Sequence, residues 1–443
     1  MRALPDGLTL LVSAKESIRN SDVHYLFRQE SNFLYASGIT EPDHIVLLDG
    51  VAKRSYLFIP DINTQHQIWV GHQLTTKQAK HLHGFDAVYT RSQFSPVFAK
   101  LFHKRRQVYA LASGQQLLHG HKIKVPCDEK NLSLTLNELR VFKSPDEVRL
   151  MRQANLISHA GHVAAMRAAR PGCFEYELQA ALEREFLAGG AQHNAYPSIV
   201  AGGSNAAVLH YHTNNTRVPN GALVLIDAGC EIAGYASDIT RCFPVNGKFS
   251  KTQQSIYEIV LHAQKSCIDM VRPGVSMVDL HLHACHVMAQ GLIDLGFYKI
   301  KDAQEVVGQQ LHRYFFPHGI GHMLGLDVHD VGARAPKAKP ECNKPKYLRT
   351  TRRLEPGVAI TVEPGLYFIA AHFDSPETHA KTKNTINWNT AKKYRPVGGI
   401  RIEDDILVTK KGHSNLTTVP KEIPDIEKLM QLRRNPAPHT HGC

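Results

Sequence analysis

The sequence contains no Cys-x-x-Cys pair and no apolar run near the roughly 18 residues that a membrane-crossing helix needs. Its eight cysteines, Cys127, Cys173, Cys230, Cys242, Cys267, Cys285, Cys342 and Cys443, are scattered. That spacing fits neither a zinc nor a redox motif, and a chain of 443 residues needs no disulfide staples. They are read as reduced thiols, mostly buried. The N-terminus offers only residues 8–12 as an apolar stretch and has no small-residue cleavage site, so no secretory leader is expected and the cytoplasm is the expected compartment. A composition of 43% hydrophobic and 21% charged residues is that of a folded protein, and the length predicts two domains.

The formal charge is +12, which raises the question of a nucleic-acid partner. The excess is local. Residues 334–353 carry a net charge of +7 and residues 372–395 a net of +3. Both segments are rich in Pro, Asn and Thr and read as surface loops. No basic-aromatic stripe or nucleic-acid module accompanies them, so neither a nucleic-acid nor a membrane partner is expected. Attraction of an anionic substrate stays open, because both segments lie between candidate site residues.

Residues 9–12, 44–48, 56–59 and 108–111 are short β-type runs with helical stretches between them, which predicts a small N-terminal α/β domain over 1–140. In Lys143-Ser144-Pro145-Asp146-Glu147, Ser144 suits a helix N-cap, Pro145 its first position and Glu147 a capping box. A long helix to about Ala168 should follow, then a second over residues 176–187 ending on Gly189-Gly190. The second domain, 141–430, repeats itself weakly. Arg170-Pro171-Gly172 is echoed by Arg272-Pro273-Gly274. The run from Gly221 to Asp227-Ala228-Gly229 is echoed by the run from Gly357 to Glu363-Pro364-Gly365. Two echoes in the same order predict an internal duplication, with one carboxylate from each half at a pseudo-two-fold axis. The tail 431–443 is expected to be disordered.

Asp227 ends a continuous apolar run of the buried-strand kind. Asp238 follows in Ser237-Asp238-Ile239-Thr240-Arg241, read as the neighbouring strand of a hairpin whose register the turn sets. Strand alternation in Arg401-Ile402-Glu403-Asp404-Asp405 puts Arg401, Glu403 and Asp405 on one face. Four carboxylates at the ends of apolar strands are costly if buried unpaired. Salt bridges could neutralise them, and so could a pair of divalent cations. Histidines shift the balance toward metal. His318-Gly319-Ile320-Gly321-His322 and His329 fall within twelve residues, and His210 precedes the Asp227 strand. Two glycines and Pro317 exclude a His-Glu-x-x-His helix. Mixed carboxylate and imidazole ligands favour Mn²⁺, Co²⁺ or Zn²⁺ over Ca²⁺.

Taken together, Ile226-Asp227-Ala228-Gly229, Ser237-Asp238-Ile239-Thr240, His318-Gly319-Ile320-Gly321-His322, Thr361-Val362-Glu363-Pro364-Gly365 and Arg401-Ile402-Glu403-Asp404 resemble the pita-bread metallopeptidases, the family of methionine aminopeptidase, aminopeptidase P and prolidase. Phe27-Arg28-Gln29-Glu30-Ser31-Asn32-Phe33 and Gly38-Ile39-Thr40-Glu41-Pro42 resemble the proline-specific branch. The resemblance implies an α/β (α+β) chain with a C-terminal pita-bread domain, two divalent metal ions with Mn²⁺ the first choice, and a peptide substrate with proline in second position. It implies Asp227 on one metal, His322 and Glu363 on the other, and Asp238 and Glu403 bridging both. Glu363 would manage the proton of the attacking water. His210 and His329 would position the substrate and stabilise the tetrahedral intermediate, His318 would line the pocket, and Arg401 would hold Glu403. Relatives are often homodimers or larger, and Trp69 is a candidate aromatic at a neighbouring subunit.

Within that branch, Tyr347-Leu348-Arg349-Thr350-Thr351-Arg352 resembles a prolidase segment in which the arginine grips the carboxylate of an Xaa-Pro dipeptide. The long insert between Tyr367 and Gly399 points the same way. The favoured expectation is a dipeptidase, with an Xaa-Pro aminopeptidase acting on longer peptides as the alternative.

Overall fold

Near-continuous apolar runs, buried on both faces, decide the sheet that opens the chain. The computed structural model describes residues 3–102, 106–332, 345 and 347–432. Most of the first basic segment and the tail from 433 therefore lie outside the described residues. The chain divides into two compact units, Met1–Arg140 and Val141–Cys443.

In the first unit, β1 (Gly7–Val12), β2 (Ile45–Asp49), β3 (Arg54–Ile59), β4 (Ala87–Thr90) and β5 (Gln107–Ala110) form one sheet in the order β4-β3-β2-β1-β5. The inner pairs are antiparallel and the two outer pairs parallel. Leu8, Leu10, Ile45, Leu47 and Phe58 pack on one face with Phe94 and Phe98. Leu11, Val46, Leu57 and Ile59 pack on the other with Phe33, Leu132 and Leu136. This is the period-2 alternation of a sheet covered on both sides. All four β-type runs of the sequence are strands here. Trp69 is 83% exposed.

The second unit begins as its capping signals dictate. α1 spans Pro145–Ala168, with the Ser144 hydroxyl accepting the Glu147 N–H and the Glu147 carboxylate accepting the Ser144 N–H at 2.7 Å. α2 (Glu175–Ala188) ends on Gly189. Between Leu223 and Pro244 the chain runs β7 (Leu223–Asp227), β8 (Cys230–Ile232), β9 (Tyr235–Ala236) and β10 (Thr240–Pro244), preceded by β6 (Ile199–Gly202). β7 pairs antiparallel with β6 and β10, while β8 pairs with β9. Then come α3 (Lys251–Met270) and α4 (Met277–Asp294). The second set of strands is β11 (Ala359–Val362), β12 (Gly365–Tyr367), β13 (Gly399–Arg401), β14 (Asp404–Val408) and β15 (His413–Asn415). β11 pairs with β14 and β12 with β13, repeating the β7–β10 and β8–β9 pattern. Each Arg-Pro-Gly echo joins the two helices of its half, and a bridge between Thr240 and Glu403 links the halves. The duplication read from the sequence is thus a duplication of topology.

Two features depart from the sequence reading. The Asp238 segment is not a continuous hairpin strand, because Asp238 sits in the break between β9 and β10. A Cβ on Gly229 would stand 1.9 Å from the Ser237 carbonyl oxygen, so this crossing admits only glycine. The second basic segment is not a loop. It holds short helices at Ala370–Phe373, Pro376–Thr382 and Trp388–Lys392. Its polar residues are caps: Ser375 accepts from the Thr378 N–H, with Pro376 at the first turn, and Asn387 accepts from the Thr390 N–H. No helix among the described residues is long and apolar enough to cross a membrane. Of the six described cysteines, all are free and all but Cys127 are buried.

His162 on α1 is buried, and its Nε2 lies 3.0 Å from the carbonyl oxygen of Ala228, beside the end of β7. Desolvation holds its pKa down to about 3. The unfolded imidazole titrates near ~6.5, so below that pH unfolding takes up a proton. The stability that neutral His162 contributes is full above ~6.5 and falls as pH drops toward 3. It accounts for a slope of about 1.4 kcal/mol per pH unit between pH ~6 and ~4. Urea midpoints should show this slope shrinking in His162→Gln, and an unchanged slope would refute the assignment.

Candidate active site

Each half delivers carboxylates at corresponding places. Asp227 ends β7 and Glu363 directly follows β11; Asp238 lies in the break before β10 and Glu403 in the break before β14. Neither residue lies inside a continuous ladder: Asp238 is unpaired there, and Glu403 makes only the isolated bridge to Thr240. The Asp238 N–H donates to the Asp405 carboxylate at 3.0 Å, and the Glu403 N–H to the Thr240 carbonyl at 3.1 Å. All ten residues singled out in the sequence, Asp227, Asp238, His322, Glu363, Glu403, His210, His329, His318, Arg349 and Arg401, line one cavity of about 630 Å³.

The centre is tight. Ligand atoms of Asp238, His322 and Glu403 lie within 4.8 Å of one another, and all three residues are buried. His322 Nε2 is 3.3 Å from Asp238 Oδ2 and 3.7 Å from Glu363 Oε1. The hydroxyl of Tyr196 stands 2.6 Å from Oδ1 of both Asp227 and Asp238. So one oxygen of Asp238 faces His322 and the other faces the Asp227 side. His322 approaches along β11: its N–H donates to Thr361 Oγ1 at 3.1 Å and its carbonyl accepts the Thr361 N–H at 2.9 Å. Gly321 is required by that contact, since a Cβ would meet the Thr361 carbonyl oxygen at 2.1 Å.

Burial decides the electrostatics. Desolvation raises Asp227, lifts Glu363 to about 7 and pushes Glu403 well above the usual carboxylate range. Burial also pushes Asp238 up, but the hydrogen bond and charge of His322 outweigh it and hold Asp238 low. Burial works against His322⁺, yet Asp238 and Glu363 raise its pKa to about 9. A carboxylate cluster that gathers protons when desolvated is one that divalent cations would neutralise in their place. His322 suits this role. Its Nδ1 donates to the Met323 carbonyl at 3.0 Å, so Nε2, which faces the carboxylates, is the atom that would exchange its proton for a cation. The donor set and its convergence therefore fit a metal centre.

Arg401 backs the cluster with every guanidinium nitrogen engaged. Nε donates to Thr240 Oγ1 at 3.0 Å, Nη1 to the Tyr367 hydroxyl at 2.8 Å, and Nη2 to Asp227 Oδ2. The Tyr367 hydroxyl lies 2.8 Å from His318 Nε2, and His318 Nδ1 lies 2.8 Å from the Gly319 carbonyl. Because Arg401 can only donate, Tyr367 accepts from it and passes its own proton to His318 Nε2, which places the His318 proton on Nδ1. Desolvation, reinforced by the Arg401 charge, holds His318 down to about 3 and so keeps it neutral. His329 stands over His322 with ring centroids 4.4 Å apart and planes near perpendicular. His210, His329 and Arg349 are the exposed members, at the cavity mouth.

The sequence model of metallopeptidase family M24 matches residues 149–410, which contain all of these side chains. The chain belongs to that family. The aminopeptidase P N-terminal domain matches residues 1–109. This M24 metallopeptidase is 40% identical over 435 residues to a Haemophilus influenzae Xaa-Pro aminopeptidase, covering 97% of this chain and 94% of that one. It is 37% identical over 449 residues to the Escherichia coli Xaa-Pro aminopeptidase, at 97% and 95% coverage. Among solved structures it is similar to Pseudomonas aeruginosa aminopeptidase PepP, with a TM-score of 0.84, 37% identity, and coverage of 97% and 95%. Aminopeptidase P from E. coli with the inhibitor Pro-Leu matches with a TM-score of 0.84 and 36% identity, at the same coverage. The second unit is the pita-bread peptidase domain of the M24 family.

Four site residues escaped the sequence reading of this M24 chain. Thr240 donates its hydroxyl to Glu403 Oε2 at 2.6 Å, and Asp405 anchors Asp238 while accepting from Asn155 Nδ2 at 2.8 Å. Both stood inside quoted motifs, and alternation from Asp238 to Thr240 was a usable signal. Tyr196 and Tyr367 had none, because their hydroxyls reach the site only through tertiary packing.

Proposed function

We propose that this chain is an Xaa-Pro aminopeptidase: it releases the N-terminal residue before a proline from peptides longer than two residues, with two divalent metal ions, Mn²⁺ by preference. The observation that carries the reading is the convergence of five carboxylate and imidazole ligands in one cavity of an M24 chain whose similar relatives are named Xaa-Pro aminopeptidases. Near end-to-end similarity to bacterial enzymes of that name favours the alternative over the dipeptidase reading. The insert between Tyr367 and Gly399 then no longer separates the two.

In this reading Asp227 would hold one ion, His322 and Glu363 the other, and Asp238 and Glu403 would serve both. The opposed directions of the two Asp238 oxygens support its bridging part. Bound there, the ions supply Lewis acidity and bring the pKa of water near neutrality. Glu363 would take the proton released by the attacking water. Neutral His318, fixed by Tyr367, borders the cavity without adding charge. His210, His329 and Arg349 at the mouth meet the substrate. Arg401 holds Asp227 in place.

Length preference tests the proposal. Mn²⁺-loaded protein should hydrolyse Ala-Pro-Ala with kcat/KM at least ~10-fold above Ala-Pro, a difference of about 1.4 kcal/mol in transition-state binding. Faster cleavage of Ala-Pro would return the chain to the dipeptidase reading. Absence of turnover on both would remove the Xaa-Pro assignment.

A further inference from the structure

A second group of potential ligands lies outside the carboxylate cavity and contributes nothing to its lining. His281 and Cys285 are one helical turn apart on α4 and so share a face. His312 comes from the 3₁₀ turn Leu311–Tyr314. One ligand atom from each lies within 4.8 Å of the others, and Cys285 Sγ is 3.5 Å from His281 Nε2. Cys285 is fully buried, and His281 and His312 are 6% and 8% exposed. Nδ1 of His281 and Nδ1 of His312 meet no hydrogen-bond partner among the described residues. Nε2 of His281 is the atom that faces Cys285, and the unpaired Nδ1 of buried His312 is costly as plain core, because buried polar atoms are normally paired.

We propose that His281, Cys285 and His312 bind a thiophilic transition-metal ion, with Zn²⁺ as the matching species. The donor set is one sulfur and two imidazoles without a carboxylate, which selects against Ca²⁺, Mg²⁺ and Mn²⁺ and for zinc-class ions. Around a tetrahedral zinc, sulfur and nitrogen donors stand roughly 3.5 Å apart, the separation already present between Cys285 and His281. Burial keeps both imidazoles neutral, each held down to about 4, so each carries a lone pair to offer. Burial also pushes the Cys285 thiol up, so metal binding displaces its proton to solvent as the sulfur–metal bond forms. The described residues would supply three ligands. The ion would pin α4 to the turn that leads into the His318–His322 loop. His281 packs on Phe316 with ring centroids 5.5 Å apart, and Phe316 packs edge-on to His318 at 4.8 Å. The site is thus one aromatic layer behind the peptidase cavity and independent of which peptide that cavity accepts.

Cobalt substitution separates the two centres, because the carboxylate cavity holds no thiolate. Full-length protein titrated with Co²⁺ should develop thiolate-to-cobalt charge-transfer absorption, and Cys443→Ser should keep it. Cys285→Ser and His312→Gln should each lose it, together with one equivalent of tightly bound Zn²⁺. Absence of the band in the unaltered protein overturns the proposal. So does a band that survives Cys285→Ser and disappears in Cys443→Ser, which would place the metal at the C-terminal His439, His441 and Cys443. Should the substituted chains fail to fold, zinc anomalous scattering from crystals of the unaltered protein decides it. Density bonded to Cys285 Sγ supports the site, and density confined to the carboxylate cavity overturns it.

Discussion

Asp238→Asn should lower kcat/KM on Ala-Pro-Ala by ~10³-fold or more, about 4 kcal/mol of transition-state stabilisation, while circular dichroism stays unchanged. The asparagine keeps the shape, and the backbone N–H of residue 238 still reaches Asp405. What it loses is the negative charge and one of the two oxygens that face opposite sides of the cavity. Metal analysis should show fewer than two equivalents of Mn²⁺ per chain. A variant that retained two ions and stayed within ~10-fold of the unaltered enzyme would mean that Asp238 does not bridge.

The largest stability effect is expected at Arg241. Its side chain is completely buried, with Nη2 on Asp404 Oδ1 at 2.7 Å and on the Val419 carbonyl at 2.8 Å. Nη1 donates to the carbonyls of Thr240 at 2.9 Å and Glu403 at 2.8 Å, and Nε to that of Pro420 at 3.1 Å. Arg241→Met would leave Asp404 with Lys421 and Asn415 alone and take from the Glu403 carbonyl its Arg241 donor, while the Thr240 carbonyl keeps the Glu403 N–H. Breaking a buried pair from one side costs about 3–5 kcal/mol. Urea unfolding should show a loss in that range. A loss below ~1 kcal/mol would mean that the pair contributes little beyond what Lys421 supplies. Peptidase activity should fall as well, since the carbonyl that Arg241 holds belongs to Glu403.

Arg241 also marks where sequence reading stops. A cation between Thr240 and Cys242 looks like an outward-facing strand residue, and nothing local reveals that Asp404 and the 419–420 backbone close over it. The same holds for Tyr196, which reaches Asp227 and Asp238, and for Tyr367, which reaches Arg401 and His318, both from segments fixed by packing. What was legible rests on short-range physics: the Ser144 capping box and apolar runs ending on carboxylates. The echo between Asp227 and Glu363 was legible because it encodes a repeated backbone path. The helices within 370–397 were not legible because Ser375, Pro376 and Asn387 serve turns and helix caps equally well, and only the packing of the buried Trp388 on Phe373 and His379 decides which.

The Thr240–Glu403 bridge closes a span of 163 residues. During synthesis, everything needed to bind the first Asp227 partner has left the ribosome long before Glu403 is made. Long-range pairings of this kind form late. A chain interrupted before residue 405 therefore has no peptidase centre, however well its N-terminal sheet has folded, so the enzyme cannot cut peptides while it is itself still being translated.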